Sequence, residues 1–263
     1  MDNVNKTLYI PLYGKAFVSA KGIVLKDKKA EEIWEKEGFA LKGKSKSKWL
    51  AYYMSMRARV FDEWVKNAVE ESEDCIVLHI GCGMDSRVER IGVQTPWVDI
   101  DFPQVIEARK KYYQPSESYR MLGADIRHGE WLSELPKAKN AVFVMEGVSM
   151  YLTSEERQAL LKNLAERFDN VRLMVDCYTP LAAKLSKHRN PINDVGVTNV
   201  YGVDEPNTLA QDTGFSLVQE WELTPVYMIN ELKGMEKFIF QKLYAGSLSK
   251  KLYKLYEYKK TRL

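Results

Sequence analysis

The chain has 263 residues, of which 45% are hydrophobic and 29% are charged, a balance typical of a globular protein with one large core. The formal net charge of +3 is too small to indicate a nucleic-acid partner, and no apolar run approaches the ~20 residues of a membrane helix. The three cysteines lack metal-binding spacing, so we expect no metal site. With no signal peptide apparent, we expect a cytoplasmic protein.

Residues 1–70 are predicted to form a helical cap. A charged helix is predicted at 28–37 and a longer one at about 49–69, whose apolar residues are spaced three and four apart. Arg57 lies on the apolar face of the longer helix. An arginine in that position needs an anionic partner or must reach solvent.

Residues 71–243 alternate between strands and helices, which predicts one ligand-binding α/β domain. Buried strands are predicted at 76–80, 97–100, 119–122, 141–145 and 171–175. Strands separated by helices favour a doubly wound, mainly parallel, Rossmann-like sheet. Ligands of such sheets bind at the carboxyl ends of the strands.

The last third of the chain departs from this alternation. Residues 178–203 carry prolines, asparagines and glycines after a central strand, which indicates either a substrate lid or an ordinary surface loop. A helix is predicted near 206–213. Strands predicted near 216–223 and at 237–243 suit an antiparallel hairpin at the sheet edge, and 244–263 is predicted to be a basic helix or tail.

A glycine turn, Gly81-Cys-Gly83, follows the first strand, and the second strand ends at Asp101. This layout binds the ribose and adenosine end of a nucleotide-like cofactor. A dinucleotide site usually has a third glycine where this chain has Ser86, and Asp85 beside it would repel a pyrophosphate. The turn therefore favours S-adenosylmethionine, which has no phosphate. An NAD-dependent oxidoreductase is the alternative, and a non-catalytic cofactor-binding module is a third hypothesis.

Acidic residues follow three neighbouring strand ends. Asp101 is placed to accept from the ribose hydroxyls, with Asp99 as the fallback; Asp125 is placed near the adenine amino group, and Glu146 next to the site of chemistry. The alternative for any one of them is that it only caps a following helix. Their occurrence at successive strand ends indicates one binding site.

Five segments, in this order, resemble the leucine carboxyl methyltransferase family and especially its bacterial branch, which includes polyketide O-methyltransferases. They are residues 7–16, 57–62, 81–87, 98–105 and 146–152. The resemblance implies a class I methyltransferase fold with S-adenosylmethionine as donor. One departure is Cys82, where the family usually has alanine, and we infer no thiol chemistry from it.

The resemblance also implies roles for individual residues. Arg57 would hold the donor carboxylate, with Lys15 assisting; the alternative for Lys15 is a solvated loop lysine. Ile126 would lie at the adenine with Asp125, or belong to the core. The implied donor-binding set is Lys15, Arg57, Gly81, Gly83, Asp101, Asp125, Ile126 and Glu146.

We predict an S-adenosylmethionine-dependent O-methyltransferase acting on a carboxylate or hydroxyl of a small molecule, with no nucleic-acid or membrane partner. Methyl transfer requires alignment and exclusion of water. A carboxylate acceptor needs no base, whereas a hydroxyl would benefit from one. Glu146 and Tyr151 are the predicted catalytic residues, and Tyr178 is a second tyrosine placed to line the acceptor pocket. The histidines are the candidate bases, although His79 is predicted to be structural and surface positions are favoured for the other two, His128 and His188.

Overall fold

The computed structural model describes residues 8–37, 41, 43–92, 94–189 and 200–261, and within them a seven-stranded sheet forms the centre. The sheet order is β3-β2-β1-β4-β5-β7-β6. Strands β1 to β5 pair in parallel, and β7 is antiparallel to both of its neighbours. This arrangement confirms the predicted mainly parallel sheet with an antiparallel pair at one edge. The strands are β1 (Cys75–Ile80), β2 (Trp97–Asp101), β3 (Tyr119–Gly123), β4 (Asn140–Met145), β5 (Asn170–Tyr178), β6 (Ser216–Trp221) and β7 (Tyr253–Thr261).

The central strands are buried on both faces, because apolar layers cover each side of the sheet. All six residues of β1 are buried, as are five of the six in β4, which matches their continuous apolar runs. Ile80 pairs with Ile100 of β2 and with Met145 of β4. This register brings the ends of three predicted strands to the same edge of the sheet.

Three N-terminal helices form the predicted cap: α1 (Tyr9–Ala20), α2 (Lys28–Glu37) and α3 (Lys48–Glu70). The two predicted cap helices are confirmed as α2 and α3, and α1 is an additional helix. Its Gly14 packs closely on α3, since a Cβ there would lie 3.3 Å from the Cα of Ala51. Phe61 and Trp64 of α3 are fully buried against the sheet layer, each contributing roughly 1.5–3 kcal/mol through burial.

The helices that follow the strands begin at recognisable signals. Pro103 occupies the first turn of α5, and Thr153 with Glu156 forms the predicted capping box of α6. Among the described helices, none combines the length and hydrophobicity that a membrane span requires. The helices are α4 (Arg87–Ile91), α5 (Pro103–Arg109), α6 (Ser154–Arg167), α7 (Pro180–Arg189), α8 (Pro206–Ala210), α9 (Val226–Ile229), α10 (Gly234–Leu243) and α11 (Ser247–Lys250).

Two predictions for the C-terminal region are wrong. Residues 237–243 belong to helix α10, in which Phe240 is buried while Phe238 and Leu243 remain exposed. Residues 253–261 form β7, inserted between β5 and β6, and are not a basic tail. The lysines of this segment suggested a solvated tail. In the structure Lys254 instead pairs with Glu220, and the ammonium of Lys260 donates to the carbonyl of Phe168.

The two ends of the predicted lid lie side by side. The main chain of Tyr178 forms a bridge with that of Gly202, and Tyr201 N–H donates to the carbonyl of Met150. Helix α7 occupies the first part of the segment. Residues 190–199 lie outside the described residues, so the lid stays a prediction.

Candidate functional site

A cavity of about 1000 Å³ opens at the carboxyl edge of the sheet, between the cap and the ends of the strands. Among the described residues, no group of three or more His, Cys, Asp or Glu side chains is arranged to hold a metal ion. His128 does not line the cavity, and the side chain of His188 lies outside the described residues. All the predicted site residues do line it: Lys15, Arg57, Gly81, Gly83, Asp101, Asp125, Ile126, Glu146 and Tyr151.

The glycine turn has a shape that only glycine permits. Gly81 has a φ of 62°, and a Cβ there would lie 2.2 Å from Cγ2 of Val148. Gly83 has a φ of 51°, and its N–H donates to Asp101 Oδ2 at 2.8 Å. The turn therefore leaves its backbone open to the cavity, as close approach of a ligand requires.

Asp101 is the acid that reaches the cavity from β2. Its other oxygen accepts the N–H of Phe102 at 2.8 Å. Burial raises the pKa of Asp101, against the opposing effects of these N–H groups and Arg109. A carboxylate with two such bonds keeps further lone pairs for ligand hydroxyls. The fallback, Asp99, is fully buried and already accepts from Trp97, Arg109 and Tyr119.

Asp125 lies at the mouth of the cavity beyond β3. Arg127 binds its carboxylate, with Nε 2.9 and 3.0 Å from the two oxygens. This hydrogen bonding lowers the pKa of Asp125. Ile126 is half-buried and lines the cavity. An adenine amino group at this position would share Asp125 with Arg127.

Arg57 has the anionic partners that its place on an apolar face demanded. Its Nε and Nη2 lie 3.0 and 2.9 Å from Glu146 Oε1. Its Nη1 lies 2.9 Å from Asp176 Oδ2 and 2.6 Å from the hydroxyl of Tyr253. Nε and Nη1 donate hydrogen bonds in these contacts, whereas Nη2 makes only the ion-pair contact with Glu146 among the described residues, so Nη2 is the nitrogen with N–H groups available to a ligand.

Glu146 is held by two guanidinium groups. Arg57 binds one carboxylate oxygen, and Nη2 of Arg87 binds the other. Burial alone would raise the pKa of Glu146, but the charges of Arg57, Arg87 and Lys15 outweigh it and lower the pKa to about 2. Glu146 is therefore a permanent negative charge beside the cavity and a weak base.

Lys15 is buried and pairs with Asp85, so the solvated alternative is wrong. The Lys15 ammonium lies 2.8 Å from Asp85 Oδ2, and Arg90 Nη1 lies 2.9 Å from Oδ1. These charges hold the pKa of Asp85 well below its usual range despite burial. Arg87 Nη2, 3.4 Å from Oδ2, is the third cation around Asp85. Because three cations compensate it, Asp85 does not repel an incoming anion, and that argument against a pyrophosphate fails. The missing third glycine still matters, because Ser86 is buried in that place and donates to Asp27 at 2.5 Å.

Sequence reasoning missed Arg87, the centre of this network. Its Nε lies 2.8 Å from Asp62 Oδ1, and its Nη1 donates to Nε2 of His79 at 2.9 Å. His79 is therefore neutral, with its Nδ1–H directed to Asp99 at 3.1 Å, and burial lowers its pKa. Asp62 and Arg87 both lie inside the segments that carry the family resemblance, and that position could have marked them as candidate site residues. We call the lining residues Lys15, Arg57, Asp85 and Glu146, together with the fully buried Arg87 that supports them, the charged half of the cavity.

A second side of the cavity, which meets Arg57 at Tyr253, is aromatic. The ring centroids of Tyr178 and Tyr253 are 5.0 Å apart at 71°, and those of Tyr53 and Tyr253 are 6.2 Å apart at 26°. We call these three residues the tyrosine wall. Around it lie Leu50, Met54, Met150, Tyr151 and Leu252. Within the described lining, this side contains no His, Lys, Asp or Glu side chain.

Comparisons with known proteins point to methyltransferases. The family model for leucine carboxyl methyltransferase matches residues 3–165. The tetracenomycin polyketide synthesis O-methyltransferase TcmP of Streptomyces glaucescens is 27% identical over 243 residues, covering 91% of this chain and 90% of that protein. The S-adenosyl-L-methionine-dependent methyltransferase dpfgK of Gibberella zeae is 24% identical over 233 residues, covering 80% and 78%.

A solved structure shares the fold. Magnesium protoporphyrin IX methyltransferase (ChlM) from Synechocystis PCC 6803, with bound SAH, has a TM-score of 0.51 at 14% identity. The match covers 88% of this chain and 93% of that one. At this identity the likeness establishes the fold alone, which is the predicted class I architecture.

Proposed function

This chain belongs to the leucine carboxyl methyltransferase family and is an S-adenosylmethionine-dependent methyltransferase, and we propose that it is an O-methyltransferase of small molecules that prefers a carboxylate acceptor. Because the chain belongs to this family, the alternative of an NAD-dependent oxidoreductase is wrong. The observation that carries the acceptor proposal is the tyrosine wall, where the described lining offers no side chain suited to act as a general base.

The described residues fit the donor. At Gly81 there is no room for even a Cβ, so the main chain itself borders the cavity. Asp101 accepts one hydrogen bond at each oxygen and can accept more from a ligand. In our proposal Asp101 binds the ribose hydroxyls, Asp125 and Ile126 lie at the adenine, and Gly81 and Gly83 lie along the methionine portion. Glu146 binds the amino group of the methionine portion, while Nη2 of Arg57 and the ammonium of Lys15 bind its carboxylate. When bound, the donor supplies a methyl group on a sulfonium.

The chain contributes mainly by positioning and by excluding water. Glu146, with a pKa of about 2, keeps its charge but is too weak a base to deprotonate a hydroxyl. A carboxylate acceptor is already ionised at neutral pH and needs no proton removed. Tyr151 and Tyr178, on the aromatic side, are proposed to line the space in which the acceptor lies. The role of Tyr151 is then to orient the acceptor.

The size of the cavity also supports an organic acceptor. Ordinary ligand pockets have volumes of roughly 300–1000 Å³. At about 1000 Å³, this cavity has room for a donor together with a second molecule. The name of the relative TcmP, a polyketide synthesis O-methyltransferase, supports an acceptor of the same general kind.

The donor half of the proposal is tested by calorimetric titration with S-adenosylhomocysteine. We expect Asp101→Asn to weaken binding about tenfold or more, because hydrogen bonds to a charged group contribute about 1.5–3 kcal/mol. Asp212→Asn is the matched control: Asp212 is exposed with a φ of 57°, which asparagine tolerates, and affinity should not change. Equal affinities for the wild type and Asp101→Asn would remove Asp101 from the site.

The acceptor half is tested with methyl-labelled donor and pairs of small acids and their corresponding alcohols or phenols. Label transferred to the acids, as base-labile esters, is the expected result. Transfer confined to the hydroxyl partners would overturn the carboxylate preference. A wild type that binds S-adenosylhomocysteine but labels no compound would favour the non-catalytic binding module.

A further inference from the structure

Tyr253 reaches the ligand site from the far end of the chain. It is the first residue of β7, and the register of β7 on β5 places it opposite Tyr178, at the carboxyl edge of the sheet. Its side chain is buried and lines the cavity. The reversed direction of β7 is what brings its first residue to this edge.

The hydroxyl of Tyr253 closes a triangle with two charged groups. It donates to Asp176 Oδ2 at 2.5 Å and accepts from Arg57 Nη1 at 2.6 Å. Arg57 Nη1 is itself 2.9 Å from Asp176 Oδ2. Because a hydroxyl has one hydrogen, these bonds define its orientation. The Nη1 end of Arg57 is therefore held against β5 and β7, away from Glu146.

Asp176 extends this triangle to the loop that carries Glu146. Its second oxygen accepts the N–H of Gly147 at 2.7 Å. A Cβ on Gly147 would lie 3.5 Å from Nη2 of Arg57, so the loop passes close to the guanidinium. One carboxylate thus sets the distance between Arg57 and the Glu146 loop, and the Tyr253 hydroxyl completes its hydrogen bonding.

We propose that Tyr253 is a positioning residue for the donor site, acting through Arg57. Its hydroxyl orients the guanidinium so that Nη2 faces the amino-acid end of the donor. The proposal rests on the proposed function for the placement of that end. It adds a residue of the C-terminal strand to a donor-binding set otherwise drawn from the cap and from the ends of β1 to β4.

The experiment is Tyr253→Phe, which removes the hydroxyl and keeps the ring. We expect calorimetric titration with S-adenosylhomocysteine to show an affinity about fivefold lower than that of the wild type, the reduction reflecting a hydrogen bond to a charged group lost one step from the ligand. Methylthioadenosine lacks the amino-acid end, so its affinity, measured by competition, should change less than twofold. An unchanged affinity for S-adenosylhomocysteine, or an equal loss for both ligands, would overturn the proposal.

Tyr258→Phe is the matched control on the same strand. Tyr258 is fully buried in the other apolar layer of the sheet, and its hydroxyl donates to the carbonyl of Pro206 at 2.6 Å. A purely structural role for Tyr253 would lower the thermal midpoint of both variants and leave the affinity of the folded proteins alone. We expect only Tyr253→Phe to change affinity.

Asp176→Asn tests the triangle from its other side and keeps the proposal falsifiable if one variant folds poorly. Because the hydroxyl acts together with Asp176, adding Tyr253→Phe to Asp176→Asn should cost less than a further twofold in affinity. A full fivefold further loss would show that the two residues act independently. None of these titrations needs an acceptor, so failure of the carboxylate proposal leaves the test intact.

Discussion

The charged half of the cavity and the tyrosine wall solve the problem of burial in different ways. The charged half places ionised side chains in the protein interior and compensates each with hydrogen-bonded partners. The tyrosine wall uses rings that pack on one another. Removing a buried charge from water costs several kcal/mol, so the charged half holds its geometry only while every partner is present. The packed rings carry no such requirement apart from the Tyr253 hydroxyl, which bonds Arg57 and Asp176, so we expect Tyr53 and Tyr178 to be replaced with smaller losses.

The largest effect should come from Arg87→Met, which removes the cation shared by Asp62 and Glu146. Both carboxylates would stay buried with fewer partners, so we expect the free energy of unfolding to fall by about 3–5 kcal/mol. Urea denaturation measures this change in the free energy of unfolding. Lys110→Met, at an exposed pair with Glu107, should change stability by about 0.5 kcal/mol or less. Similar losses in the two variants would mean that the buried network has no special weight.

The pH dependence of stability gives a second test of the charged half. The pKa of Glu146 is depressed to about 2 in the folded protein, below its value of about 4.3 when unfolded. Its contribution is therefore fully present above about pH 4.3 and is lost as the pH falls toward 2. We expect Glu146→Gln to be less stable than the wild type at pH 7, with the difference in thermal midpoint shrinking between pH 5 and 2. A difference that does not vary with pH would contradict the ion-pair role.

Gly81→Ala tests the glycine turn that follows β1. The added Cβ would collide with Val148 and also hold a positive φ, so we expect a loss of about 2–3 kcal/mol and weaker donor binding. Gly22→Ala has a φ of 67° and nothing within 4 Å, and should cost only the ~1 kcal/mol of strain. Adding Val148→Ala to Gly81→Ala should restore part of the difference; no recovery would argue against the collision.

The smallest effect is expected for Cys82→Ala. Burial raises the pKa of the Cys82 thiol well above its usual value, so it stays protonated and is no nucleophile. We expect methyl transfer within about twofold of the wild type, measured with the acid that accepts label most readily, because alanine fits the same space. Loss of turnover with intact folding would reveal a thiol role that the geometry does not indicate.

The strands of the sheet were predictable where a short stretch of sequence is compatible with only one environment. Long apolar runs such as 141–145 can only be buried, and parallel strands end at one edge, so Gly81, Asp101 and Glu146 were expected to meet there. The register of Ile80 with Ile100 and Met145 confirms that meeting. Arg57 was singled out by its place on an apolar face, and its carboxylate partners confirm the reason.

The wrong predictions concern segments whose environment is set by distant residues. β7 carries lysines that look like a solvated tail, but its strand position comes from pairing with β5 and β6. Residues 237–243 have β-prone side chains, yet form a helix of which only Phe240 is fully buried. Asp85 looked like an open negative charge until Lys15 and two arginines were seen around it.

The sequence by itself determined the α/β alternation, the glycine turn and the acids at the strand ends, because these depend on neighbours within a few residues. Only the tertiary structure decided which charges pair, since Coulomb and hydrogen-bond partners are chosen by proximity in space. Arg57 and Tyr253 touch across 196 positions of the chain, and Tyr253 and Asp176 across 77. No local pattern encodes such contacts, which form when β7 enters the sheet beside β5.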